Sequence, residues 1–313
     1  MRLYLGVDTS NYRTSAAFFD AETGVWHNEG RLLDVPEGSI GLRQSEALFQ
    51  HTLHLHEMIA RLPKGAGGSI HAVGVSARPR AVEGSYMPCF LAGESVARSA
   101  AHLLDVPLSL CSHQQGHLAA AALSADALHL LREPFLAWHL SGGTTELLLV
   151  RPGNDGLPEA TCIGGTSDLA AGQLIDRAGQ LLGLAFPAGA ALDTLALQAE
   201  TPLKPFTPKV RGGIFSLSGV ENKLIELKNR SVPNAEIARF AIETIARAVS
   251  RATAQALAVH RLPLLCAGGV MANTLLRAEM TAHFDAMFAA PELSGDNAVG
   301  AAVLAAIRNG GVV

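Results

Sequence analysis

Two histidines four residues apart, His113 and His117, open what reads as a helix after a short strand at Pro107 to Cys111. At that spacing both imidazoles project from one helix face and can hold a single metal ion. A third ligand is offered far along the chain by Asp296, in Ser294-Gly-Asp296-Asn297, just before a closing helix over Ala298 to Arg308. Two histidines and one carboxylate leave coordination positions open, which suits a catalytic metal better than a structural one. Taken alone, the pair reads equally well as ordinary polar residues at a helix start. Its neighbours give it weight.

Three glycine turns stand where strands end. In Ser141-Gly142-Gly143-Thr144-Thr145 the glycines let backbone N–H groups face a phosphate, and the hydroxyls add donors. A tight hairpin would look the same. Gly268-Gly269 follows an apolar strand and precedes a helix, the order in which a nucleotide approaches a helix start, with Asn273 facing a ribose or base edge. Pro187-Ala-Gly189 with Asp193 is the third, readable also as one helix stopping and the next starting. Between them, Asp168, Gly172 and Asp176 recur every four residues and would share a helix face. Two carboxylates there could bind ribose hydroxyls or hydrated Mg²⁺, or simply be a solvated face beside Arg177.

The elements that must position these residues fall into two series. The first has strands at Arg2 to Asp8, Thr14 to Asp20 and Val25 to Leu33, the first two joined through Asn11-Tyr12. A helix over Gln44 to Leu62, a strand at Ile70 to Ser76 and a helix near Leu91 to Leu104 follow. The second has strands at Phe135 to Leu140, Glu146 to Arg151 and Thr161 to Ile163, then a helix from Asp168 to Leu182. A long helix over Ala235 to His260 is expected to take Asn234 as its cap and to pair Glu243 with Arg247. Its stripe Ile237, Ala241, Ile245, Val249, Ala252 and Ala256 is apolar. A strand at Leu264 to Ala267, a helix from Met271 and a strand at Ala286 to Ala290 complete it. The segments 152–158 and 200–213 read as insertions or lids. Two hairpin-plus-helices series predict a duplicated α/β chain with a cleft between halves, residues 1–120 forming one domain and 121–313 the other. The last helix would pack back on the first domain.

Composition narrows the class. The 313 residues are 49% hydrophobic and 17% charged, enough for large cores and far from a disordered chain. A net charge of −4, with only five Lys, gives no general field for nucleic acid, so any RNA contact must be local or supplied by a partner. Four scattered cysteines, each in or beside an apolar run, predict buried thiols in a reducing compartment. The chain opens on a strand rather than a signal peptide, and no apolar run reaches membrane-spanning length, so a cytoplasmic location and no membrane partner are expected.

Together these motifs resemble the tRNA N6-adenosine threonylcarbamoyltransferase family, which also carries the older label O-sialoglycoprotein endopeptidase and belongs to the actin-like ATPase superfamily. The resemblance runs from Leu5-Gly-Val-Asp8-Thr-Ser10 to Gly295-Asp296-Asn297. It implies two actin-like, sugar-kinase-like (ribonuclease H-like) domains around a nucleotide cleft. It implies that His113, His117 and Asp296 hold a divalent metal, iron or zinc, with Mg²⁺ possible beside a nucleotide. It places Ser141 to Thr145 at the phosphate or acyl-adenylate, and Asp176, Gly189, Asp193 and Asn273 at nucleotide or substrate. Such enzymes take threonylcarbamoyl-adenylate, made from ATP by a separate synthase, and pass the threonylcarbamoyl group to N6 of an adenosine in tRNA. Protein partners of that machinery are implied too.

The chain also departs from the family. Asp8 stands where Glu is usual, and Asn11-Tyr-Arg13-Thr14 replaces Cys-Asp-Glu-Thr, exchanging two acids for a cation. Ala77-Arg78-Pro-Arg80 replaces a Gly-Pro-Gly segment, Thr144 replaces His or Asn, Leu169 replaces the second Asp of a pair, and Glu221 reverses the charge of a Lys. The metal and nucleotide shell is kept while the acceptor side, with Asp8, Arg78 and Arg80, is rewritten, as in a divergent paralogue. Arg13, Arg78 and Arg80 could gather to recognise a phosphate or carboxylate, or be exposed loop arginines. The changes leave open a carbamoyltransferase or ATP-dependent enzyme with a small-molecule acceptor, or a non-catalytic partner in the modification complex. Peptidase activity is not expected: there is no His-Glu-x-x-His helix and no paired nucleophile and base.

Overall fold

A computed structural model describes residues 2–10, 12–35, 42–63 and 70–311. Asn11, in the expected hairpin turn, lies outside them. The chain divides into two compact units. Unit 1 comprises residues 1–133, 151–160 and 292–313, and unit 2 comprises 134–150 and 161–291. The boundary thus falls after Glu133 rather than 120. The helix that begins at His113 runs on to Ser124, and a 3-10 turn, Leu128–Arg132, packs against it.

Unit 1 is built on a five-stranded sheet. Strands β1 (Leu3–Ser10), β2 (Arg13–Asp20) and β3 (Trp26–Leu32) form an antiparallel meander. Helix α1 (Gln44–Arg61) leads to β4 (Ile70–Arg78), helix α2 (Phe90–Leu103) to β5 (Leu108–Ser112), and helix α3 (His113–Ser124) follows at once. The strand order is β3-β2-β1-β4-β5, with β4 parallel to both β1 and β5. Parallel neighbours need helical crossovers, and α1 and α2 supply them. All eight residues of β1 are buried, as expected of a central strand covered on both faces.

Unit 2 repeats the pattern. Its strands are β6 (Phe135–Leu140), β7 (Thr145–Pro152) and β8 (Pro158–Thr166). Then come α4 (Ala171–Leu181), α5 (Gly189–Ala196), the two-residue β9 (Ile214–Phe215), α6 (Ser218–Asn229) and α7 (Asn234–His260). Strand β10 (Leu264–Ala267), helix α8 (Thr274–His283) and β11 (Ala286–Phe288) close it. The order β8-β7-β6-β10-β11 mirrors that of unit 1, with β9 added beyond β8. The duplicated α/β organisation is therefore real at the level of strand order. Helix α7 is the spine of this core. The six stripe residues from Ile237 to Ala256 are all buried, and Thr253 Oγ1 accepts a 2.8 Å hydrogen bond from the indole of Trp138.

Several local expectations change. Asn234 is the first residue of α7 rather than its cap, and its side-chain oxygen accepts from Lys228 Nζ at 2.8 Å. Glu243 pairs with Arg239 at 2.7 Å instead of Arg247, the i,i+4 partner on its N-terminal side. Helix α8 begins at Thr274, after a 3-10 turn over Gly269–Ala272, because the Asn273 side chain accepts from the N–H groups of Leu275 and Leu276 and so sets the start. Helix α6 has no counterpart among the expected elements, although Val220, Leu224 and Leu227 mark its buried face. Cys89, Cys111 and Cys266 are buried free thiols, but Cys162 is exposed. Burial pushes Cys111 and Cys266 up to about 12, so neither is a nucleophile near neutral pH. Among the described residues no helix is long and apolar enough to cross a membrane.

The last helix, α9 (Val299–Arg308), belongs to unit 1 and packs on β1, β4 and α3. It comes tightly against α3, where a Cβ on Gly300 would collide with the carbonyl of Gly116. The glycine at 300 lets the α9 backbone come up against the Gly116 carbonyl, and that contact fixes what lies at the two helix starts.

Candidate metal centre and nucleotide pocket

Helix α3 starts at His113 because Ser112 caps it. Ser112 Oγ accepts from Gln115 N at 3.2 Å, and Gln115 Oε1 accepts from Ser112 N at 2.7 Å, a reciprocal capping box. Both histidines thus sit in the first two turns of a well-anchored helix. The chain entering α9 carries Asp296. Asn297 holds that approach: its Oδ1 accepts from Val299 N at 3.0 Å, while its Nδ2 donates to the carbonyls of Leu293 and Gly295.

The three side chains converge. Asp296 Oδ1 lies 3.3 Å from His113 Nε2 and 3.2 Å from His117 Nε2, and the two Nε2 atoms are 2.9 Å apart. Each residue offers one ligand atom to a group whose atoms all lie within 4.8 Å of one another. Each side chain is partly exposed, between 16% and 30%, so the cluster keeps an open side. Two imidazole nitrogens and a carboxylate oxygen facing one point are the donor set of a zinc or non-haem iron site.

Asp8 completes the arrangement. Only 1% exposed, its Oδ2 accepts from His113 Nδ1 at 2.9 Å, and its Oδ1 accepts from Ser10 N at 2.9 Å. The bond to Nδ1 turns Nε2 toward the cluster, as a carboxylate behind a metal-bound histidine does. The family resemblance implied an acceptor-side place for Asp8; the structure ties it to the imidazole. Burial alone would lower the affinity of His113 for a proton. Asp8 and Asp296 reverse this and raise its pKa to about 10. Asp296 is held far below the usual carboxylate range: burial pushes it up, but bonds from both histidines outweigh that. Asp8 is also lowered, because the His113 charge and bond overcome its burial. Two acids gathered on one imidazole make a place where positive charge is wanted, whether proton or cation.

Arg78 and Arg80, expected beside this site, are exposed. Arg78 ends β4 opposite Ser112, and the carbonyl of Pro79 accepts from Gln114 N at 3.0 Å, so this segment borders the start of α3.

Unit 2 contains a cavity of about 330 Å³, within the range of small-ligand sites. Gly142, Asp176, Gly189, Asp193, Gly269 and Asn273 line it, so one space gathers members of all three glycine turns. Gly172 lines it too, and its missing Cβ lets α4 start against the Ser141 carbonyl and Gly142. Asp193 Oδ2 accepts from Thr274 N at 3.0 Å and Thr274 Oγ1 at 2.8 Å, while its Oδ1 is buried with no partner.

Other expected members do local work. Thr145 is buried, and its Oγ1 accepts from Ala171 N at 2.8 Å. Ser141 Oγ accepts from Thr144 N at 3.2 Å within the turn that carries Gly143. Gly268 packs against the carbonyl of Leu140. Asn273 caps α8 with the oxygen expected to face a ribose. Asp176 Oδ1 accepts from Ala188 N at 2.9 Å, holding the Pro187–Gly189 turn. Asp168 is not on the helix face, since α4 begins at Ala171. It accepts from Ser216 and Ser218 hydroxyls and from Leu217 N, bonds that hold its pKa well below the usual range against the opposing effect of burial.

The sequence from 40 to 303 matches the family model for tRNA N6-adenosine threonylcarbamoyltransferase. The chain belongs to that family. Curated threonylcarbamoyltransferases align with it at moderate identity. The Herminiimonas arsenicoxydans enzyme is 28% identical over 98% of this chain and 92% of its own length. A Thermus thermophilus enzyme is 36% identical over 66% of this chain and 62% of its own. Solved structures share the fold. HypF from T. kodakarensis superposes with a TM-score of 0.58 at 15% identity, covering 99% of this chain and 48% of that one. The Clostridium difficile activator of 2-hydroxyisocaproyl-CoA dehydratase gives 0.52 at 14% identity, covering 98% and 96%. A Streptomyces griseus ROK family glucokinase gives 0.50 at 15%, covering 97% and 99%. The fold is thus that of the actin-like ATPases and sugar kinases, as the threonylcarbamoyltransferase resemblance implied.

Proposed function

We propose that this chain transfers a threonylcarbamoyl group from threonylcarbamoyl-adenylate to N6 of an adenosine in tRNA. The observation that carries the reading is the convergence of His113, His117 and Asp296, in a chain of this family, backed by Asp8. A divalent cation held there, iron or zinc, would polarise the carbamoyl carbonyl or hold a phosphate oxygen as the adenylate leaves. The protein's part is to fix the donors. Asp8 retains the proton on His113 Nδ1 so that the Nε2 lone pair faces inward, and the close approach of α9 to α3 at Gly300 sets the reach of Asp296.

The unit 2 cavity is the candidate adenylate site. Gly142, Gly189 and Gly269 leave open space where side chains would intrude, and the unpartnered Asp193 Oδ1 can accept a ligand hydroxyl. The net charge of −4 means that tRNA must be met by a local patch or by partner proteins of the same machinery. A cytoplasmic location goes with this role. The test is incubation of the chain with tRNA, ATP, threonine, bicarbonate, the synthase and partner proteins, followed by nucleoside mass spectrometry. Threonylcarbamoyl-adenosine is expected; its absence while nucleotide still binds would defeat the tRNA acceptor.

A second reading is favoured by one observation. Glu221, standing where the family has Lys, is bonded to Arg177 at 2.7 Å, so the reversed charge is answered by an exposed ion pair between α4 and α6. A carbamoyltransferase or ATP-dependent enzyme with a small-molecule acceptor would tolerate such a change. Turnover of adenylate without tRNA modification would select it.

A further inference from the structure

We infer that Arg13 receives an oxyanion of the ligand bound beside the His113–His117–Asp296 cluster. The inference rests on the reading of that cluster as a ligand site and adds a group the family pattern lacks. The antiparallel ladder sets Ser10 opposite Arg13 and Asp8 opposite Ser15, and β3 continues these rows with Leu32 and Gly30. Directly opposed residues project to one face, so Asp8, Ser10, Arg13 and Gly30 share it. Asn28 lies one row further along the same face, and its Oδ1 accepts from Ala298 N at 3.2 Å. This is therefore the face on which the Asp296–Ala298 segment sits.

The Arg13 side chain does not stay in its own row. It folds back over Gly30, where an added Cβ would meet Nη2 at 2.7 Å and Cζ at 2.9 Å. The guanidinium thus occupies the row of Asp8, two strands away, a Cα separation of about 10 Å. Among the described residues no acid pairs with it, its Nε is buried without a partner, and so is Ser10 Oγ on the residue opposite. A planar fork of donors, held by a glycine and left without a carboxylate, matches a carboxylate or phosphate oxygen pair. The shared chemistry is a ligand oxyanion. Its two sources are the carboxylate of the threonyl group and a phosphoryl group.

The test is calorimetric titration of the full purified chain with two probes, N-carbamoyl-L-threonine and inorganic phosphate, with metal content measured in parallel. Arg13→Gln should weaken one probe by at least about tenfold, the loss of a charge-assisted bidentate contact. The weakened probe names the source. Gly30→Ala should reproduce the loss with the charge retained, because the new Cβ displaces the fork, and metal content should stay that of the unaltered chain. If Arg13→Gln binds both probes as the unaltered chain does, or if the unaltered chain holds neither, the inference is overturned. A failed tRNA assay alongside Arg13-dependent probe binding would instead defeat the acceptor reading alone.

Discussion

Asp8 Oδ2 stands 2.9 Å from His113 Nδ1, joining the first strand of the chain to a histidine 105 residues later. The contact is part-buried, and it decides which ring nitrogen faces Asp296. Asp8→Asn keeps the shape but removes the charge behind the imidazole. Metal affinity should fall by about 10–100-fold, the usual effect of losing such a partner. Competition with a chromogenic chelator measures it; unchanged affinity would detach Asp8 from the site.

Removal of metal should be felt as lost stability, since a ligand that binds only the folded chain raises its unfolding free energy. Chelator treatment is expected to lower the unfolding temperature of the unaltered protein. His117→Ala should unfold at the same temperature with and without chelator. Scanning calorimetry of the four samples distinguishes a bound cation from a merely polar cluster.

His51 gives the fold a pH dependence of its own. It is fully buried, and its Nδ1 lies 2.8 Å from Thr14 Oγ1 while Nε2 has no partner. Burial lowers its pKa to about 4, overcoming the pull of Asp8 in the other direction. A histidine held neutral in the folded state stabilises above its unfolded pKa near 6.5, and that contribution is lost as pH falls toward 4. The loss should be of the order of 2–3 kcal/mol. Urea unfolding between pH 7 and 4.5 reads it, and His51→Gln should flatten that part of the profile.

Gly300→Ala should be far worse than an ordinary helix substitution, although alanine is the better helix former. Its Cβ would meet the Gly116 carbonyl, so α9 and α3 must part. Overpacking of this kind costs about 1–3 kcal/mol. Thermal unfolding and metal content should fall together; loss of stability with full metal content would show that the ligands follow the helices elastically.

Asp193→Ala should weaken adenine nucleotide binding and also fray the start of α8, because Oδ2 accepts two bonds from Thr274. Thr274→Val removes one of those bonds and leaves Oδ1 in the cavity. Titration with AMP is expected to separate the two: a clear loss for Asp193→Ala, a small one for Thr274→Val.

The convergence of His113, His117 and Asp296 was legible because the two histidines announce their face by spacing and Asp296 stands just before a helix start. The succession of strands and helices was legible because hairpins and crossovers leave periodic traces, as at β1, β2 and β6. What was not legible depended on contacts made across the fold. Nothing near Asp8 in sequence points to an imidazole in α3. Asn273 lines the unit 2 cavity, but its second task as the cap of α8 was not legible, because capping and binding ask for the same amide. Asp168 looked helical by its spacing from Gly172 and Asp176, yet four donors from 216–218 hold it before the helix begins. Helix α6 was missed, although Val220, Leu224 and Leu227 carry the helical spacing; its charged neighbours masked them.

Unit 1 is discontinuous, and its closing piece is α9. A nascent chain emerging from the ribosome therefore carries both imidazoles for 179 residues of synthesis before the carboxylate partner exists. During that interval β1 and β4 also lack the helix that covers them. Convergence of the three side chains and completion of the first core are the same late event, so unit 2 can finish assembling before the unit that began first.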